Sequence, residues 1–274
     1  MRKYIFTFTI IITITVSAQR NCNFYKMEGD SCRYKACSYL ESAPKYFQLR
    51  GEYHSIYNKV LEICPEYGDA YRAKSTAYLK TGDFITWKAL MDKAVSINPK
   101  DNLSYRGWCR FQFLRDYKGA IRDIEKLDSL VSHDIGYSQN GTYHLNIAKG
   151  LCYKMIGETE KSISIIEQQI ESDAFSIGLY DYLHLGVLYQ ELGQHEKSLT
   201  YFEKQQEEYN CAENAYYTAI SHKKLGNKTQ YQLYIKKADS LYNNNTIMLD
   251  PYTHQVDKVY HTTIQKELNT EETK

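Results

Sequence analysis

A helix–turn–helix pattern that recurs about every 34 residues constrains the fold of this chain more than any other feature. In the stretch 69–99, one amphipathic helix is predicted to end at Gly82, and a second is predicted to end just before Pro99. Glycine tolerates the left-handed backbone that terminates a helix, whereas proline cannot continue one. Pro65 lies 34 residues before Pro99. The pattern therefore predicts an array of repeated helix pairs.

Further units along the chain follow the same pattern. Three of them have a glycine at the turn: 146–170 with Gly157, 182–206 with Gly193, and 215–241 with Gly226. These glycines are 36 and 33 residues apart. Segment 105–127 has Arg115 at the turn, and Gly51 followed by residues 56–63 forms a degenerate first unit. The chain is therefore predicted to contain about six units.

These segments resemble the tetratricopeptide repeat (TPR) family, and the resemblance extends over residues 43–242. In that family, small residues let the two helices of a unit approach closely. The matching positions here are small: Ser75, Gly150, Gly186 and Ala219 in first helices, and Ala120, Ser162 and Ser198 in second helices. Trp87 and Tyr231 depart from this pattern, which predicts wider crossings there. The resemblance implies an all-α, right-handed superhelical solenoid of antiparallel helix pairs.

The N-terminus has the features of a signal peptide at residues 1–18. Arg2 and Lys3 precede an uncharged stretch at 4–16, and Ala18 offers a cleavage point before Gln19. The stretch is too short and too rich in threonine for a membrane span of about 20 residues, although an uncleaved anchor is the alternative. We expect an exported protein, periplasmic or secreted, without stable membrane insertion after cleavage.

The charge balance argues against nucleic acid as a partner. The chain has 274 residues, with 34 basic and 33 acidic side chains and a formal net charge of +1. Removing Arg2 and Lys3 leaves 32 basic and 33 acidic residues, a net charge of −1. Electrostatic attraction to a polyanion is therefore not expected.

Seven cysteines follow the predicted signal peptide: Cys22, Cys32, Cys37, Cys64, Cys109, Cys152 and Cys211. An odd number leaves at least one free or intermolecular thiol. If Cys32 and Cys37 share a helix, they lie too far apart for a disulfide, whereas a bridge from Cys22 to either is easier across a predicted loop. The connectivity stays open at this point. Cys109 and Cys152 are predicted to be buried small hydrophobes.

Two regions interrupt the repeats. Residues 132–143 are rich in turn formers and form an insertion, which is either a surface loop or a contributor to binding. The chain is thus predicted to have a cysteine-containing segment at residues 19–42 and the repeats at 43–242. Residues 243–274 are predicted to form a linker, a capping helix and a tail. Asp250 and Pro251 are predicted to open that helix, and the tail from Asn269 is predicted to be disordered. An apolar stripe supports the helix: Val256, Tyr260, Ile264 and Leu268.

The sequence offers no catalytic constellation. It contains no HExxH, GxSxG, Walker or GxGxxG motif and no CxxC pair. His184 and His195 are expected at the surface, and Asp181 with His184 forms an i,i+3 pair without a third ligand. We therefore expect a protein that is not an enzyme and that holds no metal or cofactor.

The resemblance implies that first helices line a concave groove that binds a protein or peptide. The residues expected to face this groove are mostly apolar: Arg72, Thr76, Leu79, Trp108, Phe111, Ile147, Leu151, Leu183, Val187, Tyr216 and Ile220. The charged set that clamps a peptide carboxylate in chaperone-binding members is not reproduced. The expected function is therefore a protein-interaction scaffold, and the alternative is an envelope glycan- or peptidoglycan-binding module.

Trp108 is the strongest candidate for a binding hot spot in this groove. If Gly107 takes the small crossing position, Trp108 turns one residue further round the helix, toward the concave side. If the register follows Ala120 instead, Trp108 itself lies at the crossing. Both registers stay open from the sequence.

Overall fold

The computed structural model describes residues 21–172 and 176–272, so the predicted signal peptide and its cleavage site lie outside the described residues. Within those ranges the chain is all-α and contains no β-strand. The helices are α1 (Cys22–Met27), α2 (Ser31–Ser42), α3 (Gly51–Ile63), α4 (Gly68–Thr81), α5 (Phe84–Ile97), α6 (Pro99–Cys109), α7 (Tyr117–Leu130), α8 (Leu145–Met155), α9 (Thr159–Ile170), α10 (Asp181–Glu191), α11 (His195–Glu208), α12 (Ala212–Lys224), α13 (Lys228–Asn243) and α14 (His261–Glu272).

The chain divides into two compact units, the first ending at Leu90 and the second beginning at Met91. In the first unit, α1 packs on α2, α2 on α3, and α3 on α4. Two disulfides fasten these helices: Cys22–Cys37, with Cα atoms 5.6 Å apart, and Cys32–Cys64, with Cα atoms 5.3 Å apart. The sequence allowed a bridge from Cys22 to either Cys32 or Cys37, and the structure has the bridge to Cys37.

The second unit is a stack of four helix pairs: α6–α7, α8–α9, α10–α11 and α12–α13. Within each pair the two helices pack extensively, and successive pairs meet through α7 with α8, α9 with α10, and α11 with α12. Each pair packs against the pairs next to it in the chain, which is the packing of a solenoid.

Glycines make the close approaches within these pairs. A Cβ at Gly186 would lie 2.4 Å from Phe202 Cε1, and a Cβ at Gly150 would lie 2.5 Å from Ile166 Cγ1. The predicted crossing positions are confirmed at both glycines. Gly107 faces α7 in the same way, because its Cβ would lie 3.2 Å from the Cβ of Asp123. The register with Gly107 at the crossing is therefore confirmed, and the register with Trp108 there is wrong.

The large residue at the small position of α13 is accommodated by its partner helix. Tyr231 is buried in one cluster with Ala212, Ala215 and Ala219 of α12. Small side chains on the first helix therefore leave the room that the second helix fills.

The turn of the α6–α7 pair is made without glycine. Arg115 has φ 56°, the left-handed conformation that Gly157 adopts with φ 86° in the next pair. The helix before it passes into a π-helical turn at Arg110–Leu114, and the Asp116 N–H donates to the Arg110 carbonyl at 2.9 Å. The wider π-helical turn lets the chain reverse at a residue with a side chain.

Three segments differ from the sequence-based expectation. The segment between Cys22 and Cys37 is helical, as α1 and α2, and is not a loop. The C-terminal helix begins at His261 and not near Asp250. The Asp250 carboxylate does accept from the N–H groups of Tyr252 and Thr253, 2.8 Å each, as at a helix N-cap, but the residues that follow do not form a helix. This helix continues through 269–272, where the sequence predicted disorder.

Among the described helices, none is long and apolar enough to cross a membrane.

Candidate functional site

Residues 246–260, here called the strap, lie against the first helices of the second unit. The strap contains neither helix nor strand. At its start, the Ala212 N–H donates to the Thr246 carbonyl at 2.9 Å, and the Met248 N–H donates to the Glu213 carboxylate at 2.8 Å. The Leu249 N–H then donates to the Tyr180 hydroxyl at 3.3 Å. The surface that the first helices α6, α8, α10 and α12 form under the strap is called the groove.

The middle of the strap reaches the other end of the groove. Gln112 Nε2 donates to the Asp250 carboxylate at 3.2 Å and also to the Thr253 hydroxyl. The Arg115 guanidinium donates to the carbonyl of His254. The strap therefore contacts four consecutive helix pairs, and it does so mainly through side chains that project from the groove.

Asp257 is the central contact between strap and groove. Its carboxylate lies 2.6 Å from Lys154 Nζ on α8 and 2.7 Å from His184 Nδ1 on α10. His184 Nε2 lies 3.0 Å from the Tyr143 hydroxyl. Because a carboxylate only accepts hydrogen bonds, Nδ1 carries a proton, and in the neutral ring Nε2 accepts from Tyr143. The four side chains form one buried polar chain.

Electrostatics favour the ionised form of Asp257. Burial raises the pKa of this carboxyl group, but the charge of Lys154 and the hydrogen bond from His184 outweigh burial. The pKa of Asp257 therefore lies below its ordinary value. Lys154 also lies 3.0 Å from the Glu191 carboxylate at the rim.

A second ion pair lies beside the first, and in it the strap supplies the positive charge and the groove supplies the negative one. The ammonium of Lys258 lies 2.7 Å from Glu213 Oε1 on α12, and the Glu213 side chain is fully buried. Asp257 and Lys258 are adjacent in the strap, and each is paired with groove side chains that can carry the opposite charge. Asp257 reaches its position with φ 62°, a backbone conformation that is uncommon outside glycine.

The candidate groove residues fall in both units. Arg72, Thr76 and Leu79 lie on α4 of the first unit and are partly buried. Tyr216 and Ile220 lie on α12 of the second unit and are also partly buried. The other candidates of the second unit are buried: Trp108, Phe111, Ile147, Leu151, Leu183 and Val187. In this conformation the buried residues are core, and they present no surface to a partner.

Trp108 is part of this core, with 2% of its surface exposed. Its ring centroid lies 5.7 Å from that of Phe111 and 6.2 Å from that of Tyr143. Tyr143 belongs to the insertion at 132–143, so this insertion is more than a surface loop. Burial raises the pKa of the Tyr143 hydroxyl well above its ordinary value, which keeps this group neutral.

His184 is buried, with no exposed surface, and the expectation of a surface residue is wrong. The carboxylate of Asp181, its i,i+3 neighbour, accepts from the Gly178 N–H at 2.7 Å. Sequence reasoning also missed Lys154, Glu213 and Asp257. A signal was available for Asp257 alone: the adjacent pair of opposite charges between two valines at 256–259.

The arrangement holds a carboxylate and an ammonium. An aspartate, a histidine and a hydroxyl stand in line, and all three side chains are buried. In the described part of the chain, one cluster has metal-ligand types, Cys22, Cys37 and Glu41. Its two cysteines are joined in a disulfide and offer no thiolate.

Comparison with known proteins agrees with this architecture. The family model of the tetratricopeptide repeat matches residues 68–101 and 182–210, which correspond to α4 with α5 and to α10 with α11. Two segments of the chain therefore match the tetratricopeptide repeat. A search of curated proteins finds no match.

Solved structures show the same fold at low sequence identity. PilW, described as a type IV pilus biogenesis factor, is 15% identical with a TM-score of 0.57, over 89% of this chain and 94% of that one. The Pseudomonas aeruginosa protein PilF is 13% identical with a TM-score of 0.55, over 90% and 94%. YrrB, described as a TPR protein with an unusual peptide-binding site, is 15% identical with a TM-score of 0.53, over 69% and 93%. The fold of this chain is therefore a solenoid of TPR helix pairs.

Proposed function

We propose that this chain is a non-catalytic protein-interaction scaffold that binds a peptide segment in its groove. The observation that carries the proposal is the strap, a segment without helix or strand that contacts four helix pairs through side chains of the groove and turns back, so that Met248 and Lys258 both meet Glu213. The face that accommodates this segment has the polar anchors and the length that a peptide from another protein requires.

The two disulfides support a location in an oxidising compartment. Structural disulfides persist in the periplasm and outside the cell, and they are rare in the cytosol. Four cysteines are paired in the first unit, and three others, Cys109, Cys152 and Cys211, are buried and take no part in these two disulfides. Together with the signal-like N-terminus, this pattern favours a periplasmic or secreted scaffold.

Site-specific photo-crosslinking of the full chain in its native envelope tests the proposed function. A photoreactive residue at Ile220, a partly buried groove candidate on α12, should capture a defined protein. The matched control position is Leu233 on α13, which is 59% exposed. Capture of the same protein from both positions, or retention of the chain by purified envelope glycan without any protein partner, would contradict the proposal.

The compartment has its own test. Cell fractionation and intact mass spectrometry should find the mature chain beginning at Gln19, outside the cytosol. A cytosolic chain that retains Met1 would contradict the proposed export.

A further inference from the structure

The strap shows which partner chemistry the groove selects, and this inference rests on the function proposed above. We propose that the strap is a displaceable internal ligand and that the partner is a segment that forms a turn with an acidic residue followed by a basic one, between two apolar residues. The partner carboxylate would replace that of Asp257 between Lys154 and His184. Its ammonium or guanidinium would replace that of Lys258 on Glu213.

The groove has a built receptor for the carboxylate. The Lys154 side chain is 7% exposed and that of His184 is fully buried, and both point at one carboxylate. Without Asp257, the buried Lys154 ammonium would keep only the Glu191 carboxylate, which lies at the rim and is 46% exposed, and His184 Nδ1 would lose its acceptor. The recess therefore favours an acidic occupant, either Asp257 or a carboxylate that replaces it.

The receptor for the positive charge lies on the next helix pair. The Glu213 carboxylate is fully buried and takes the Lys258 ammonium on Oε1 and the Met248 N–H on Oε2. The two receptors have opposite signs, so they fix the direction of the bound segment as well as its sequence. A segment with the charges in reverse order would place like charges together.

Apolar pockets flank the two charges. Val256 and Val259 are buried, and Val259 packs in the cluster of α12 and α13 that also contains Ala215 and Ile235. Other side chains of the strap point to solvent, such as Leu249 at 66% and Tyr252 at 77% exposure. The groove therefore reads a short core of the segment, residues 255–259, together with Met248, which is 1% exposed.

The strap can leave without unfolding the helices that flank it. It joins the end of α13 at Asn243 to the start of α14 at His261, and α14 packs directly on α13 through Ile264. The strap itself has no regular secondary structure to melt. Leaving the groove also releases Asp257 from its left-handed backbone conformation, which costs free energy while it is bound.

A labelled peptide of residues 246–260 tests the inference on the full chain. The Asp257→Asn variant loosens its own strap, so it should bind this peptide at least ten-fold more tightly than the wild type. The matched control variant is Asp128→Asn, which changes an exposed aspartate of α7 and should behave as the wild type. A peptide that carries the Asp257→Asn change should bind this variant at least ten-fold more weakly than the unchanged peptide does. Equal affinities in all three proteins would overturn the inference.

Hydrogen exchange on the wild type keeps the test independent of the variant's folding. The amides of Met248, Leu249 and Thr253 should exchange at least ten-fold faster than the central amides of α10, because the strap opens locally. Exchange of these amides only with global unfolding would overturn the inference.

The two proposals fail in different ways. If crosslinking at Ile220 captures a protein but the peptide does not bind the Asp257→Asn variant, the scaffold function stands and the strap is a permanent part of the fold. If the peptide binds but no protein is captured in the envelope, the groove chemistry stands and the proposed function fails.

Discussion

Substitution of Gly186 by alanine isolates the close approach between α10 and α11. The added Cβ would lie 2.4 Å from Phe202 Cε1 and 2.6 Å from Cδ1. Ordinary contacts begin at 3.4 Å, so the ring must move by about 1 Å. Phe202 is itself buried, so its neighbours must move with it.

Two opposing effects set the expected magnitude. Alanine favours a helix interior over glycine by about 0.5–1 kcal/mol. Overpacking of a filled core costs about 1–3 kcal/mol. The net prediction for Gly186→Ala is a loss of about 0.5–2 kcal/mol in the free energy of unfolding. Gly186→Leu adds more carbons to the same filled space and should lose more.

Chemical denaturation monitored by circular dichroism measures this change. The control is Gly51→Ala at the start of α3, where an added Cβ has nothing within 4 Å and should cost nothing. Gly107→Ala should fall between the two, because its nearest contacts are at 3.2 Å. A double-mutant cycle with Phe202→Leu should recover part of the loss, with a coupling of about 0.5–3 kcal/mol. Stabilisation by Gly186→Ala would refute the assigned crossing.

The remaining predictions concern the core, one buried carboxyl group and the disulfides. Trp108→Ala should lower the free energy of unfolding by about 3–5 kcal/mol, since the indole is core; a melting temperature near that of the wild type would contradict this. Burial raises the pKa of Asp181 to about 6. The folded state therefore binds the proton more tightly, and stability should fall by up to about 3 kcal/mol as pH rises from about 4 to 6. Asp181→Asn should abolish this fall in pH-dependent denaturation. Replacing Cys22 and Cys37 together by alanine should cost about 2–4 kcal/mol, and reduction of that variant should still destabilise it through Cys32–Cys64; no change in either case would contradict a structural role.

The repeats were predictable because the contacts that build them are local and periodic. Gly150 and Gly186 meet residues 16 positions later in the chain, Ile166 and Phe202. The same periodicity places Lys161 over the ring of Tyr153 and Lys197 over the ring of Tyr189, each at 4.0 Å from the ring centroid. Contacts between residues close in sequence recur at the same spacing in successive helix pairs. Once the repeat is aligned on one pair, the alignment predicts the corresponding contact in the next.

The strap was not predictable, because its contacts join residues far apart in sequence and occur once. Gln112 and Thr253 are 141 positions apart, and Lys154 and Asp257 are 103 apart. The stripe at 256–268 suggests one helix, but Asp257 with φ 62° leaves the helical conformation to reach Lys154 and His184. The tertiary contacts of Asp257 and Lys258 thus take the place of a local helical preference that is worth only tenths of a kcal/mol per residue. The same competition decides whether a segment from another protein takes the place of the strap, because any replacement must supply both charges in the same order.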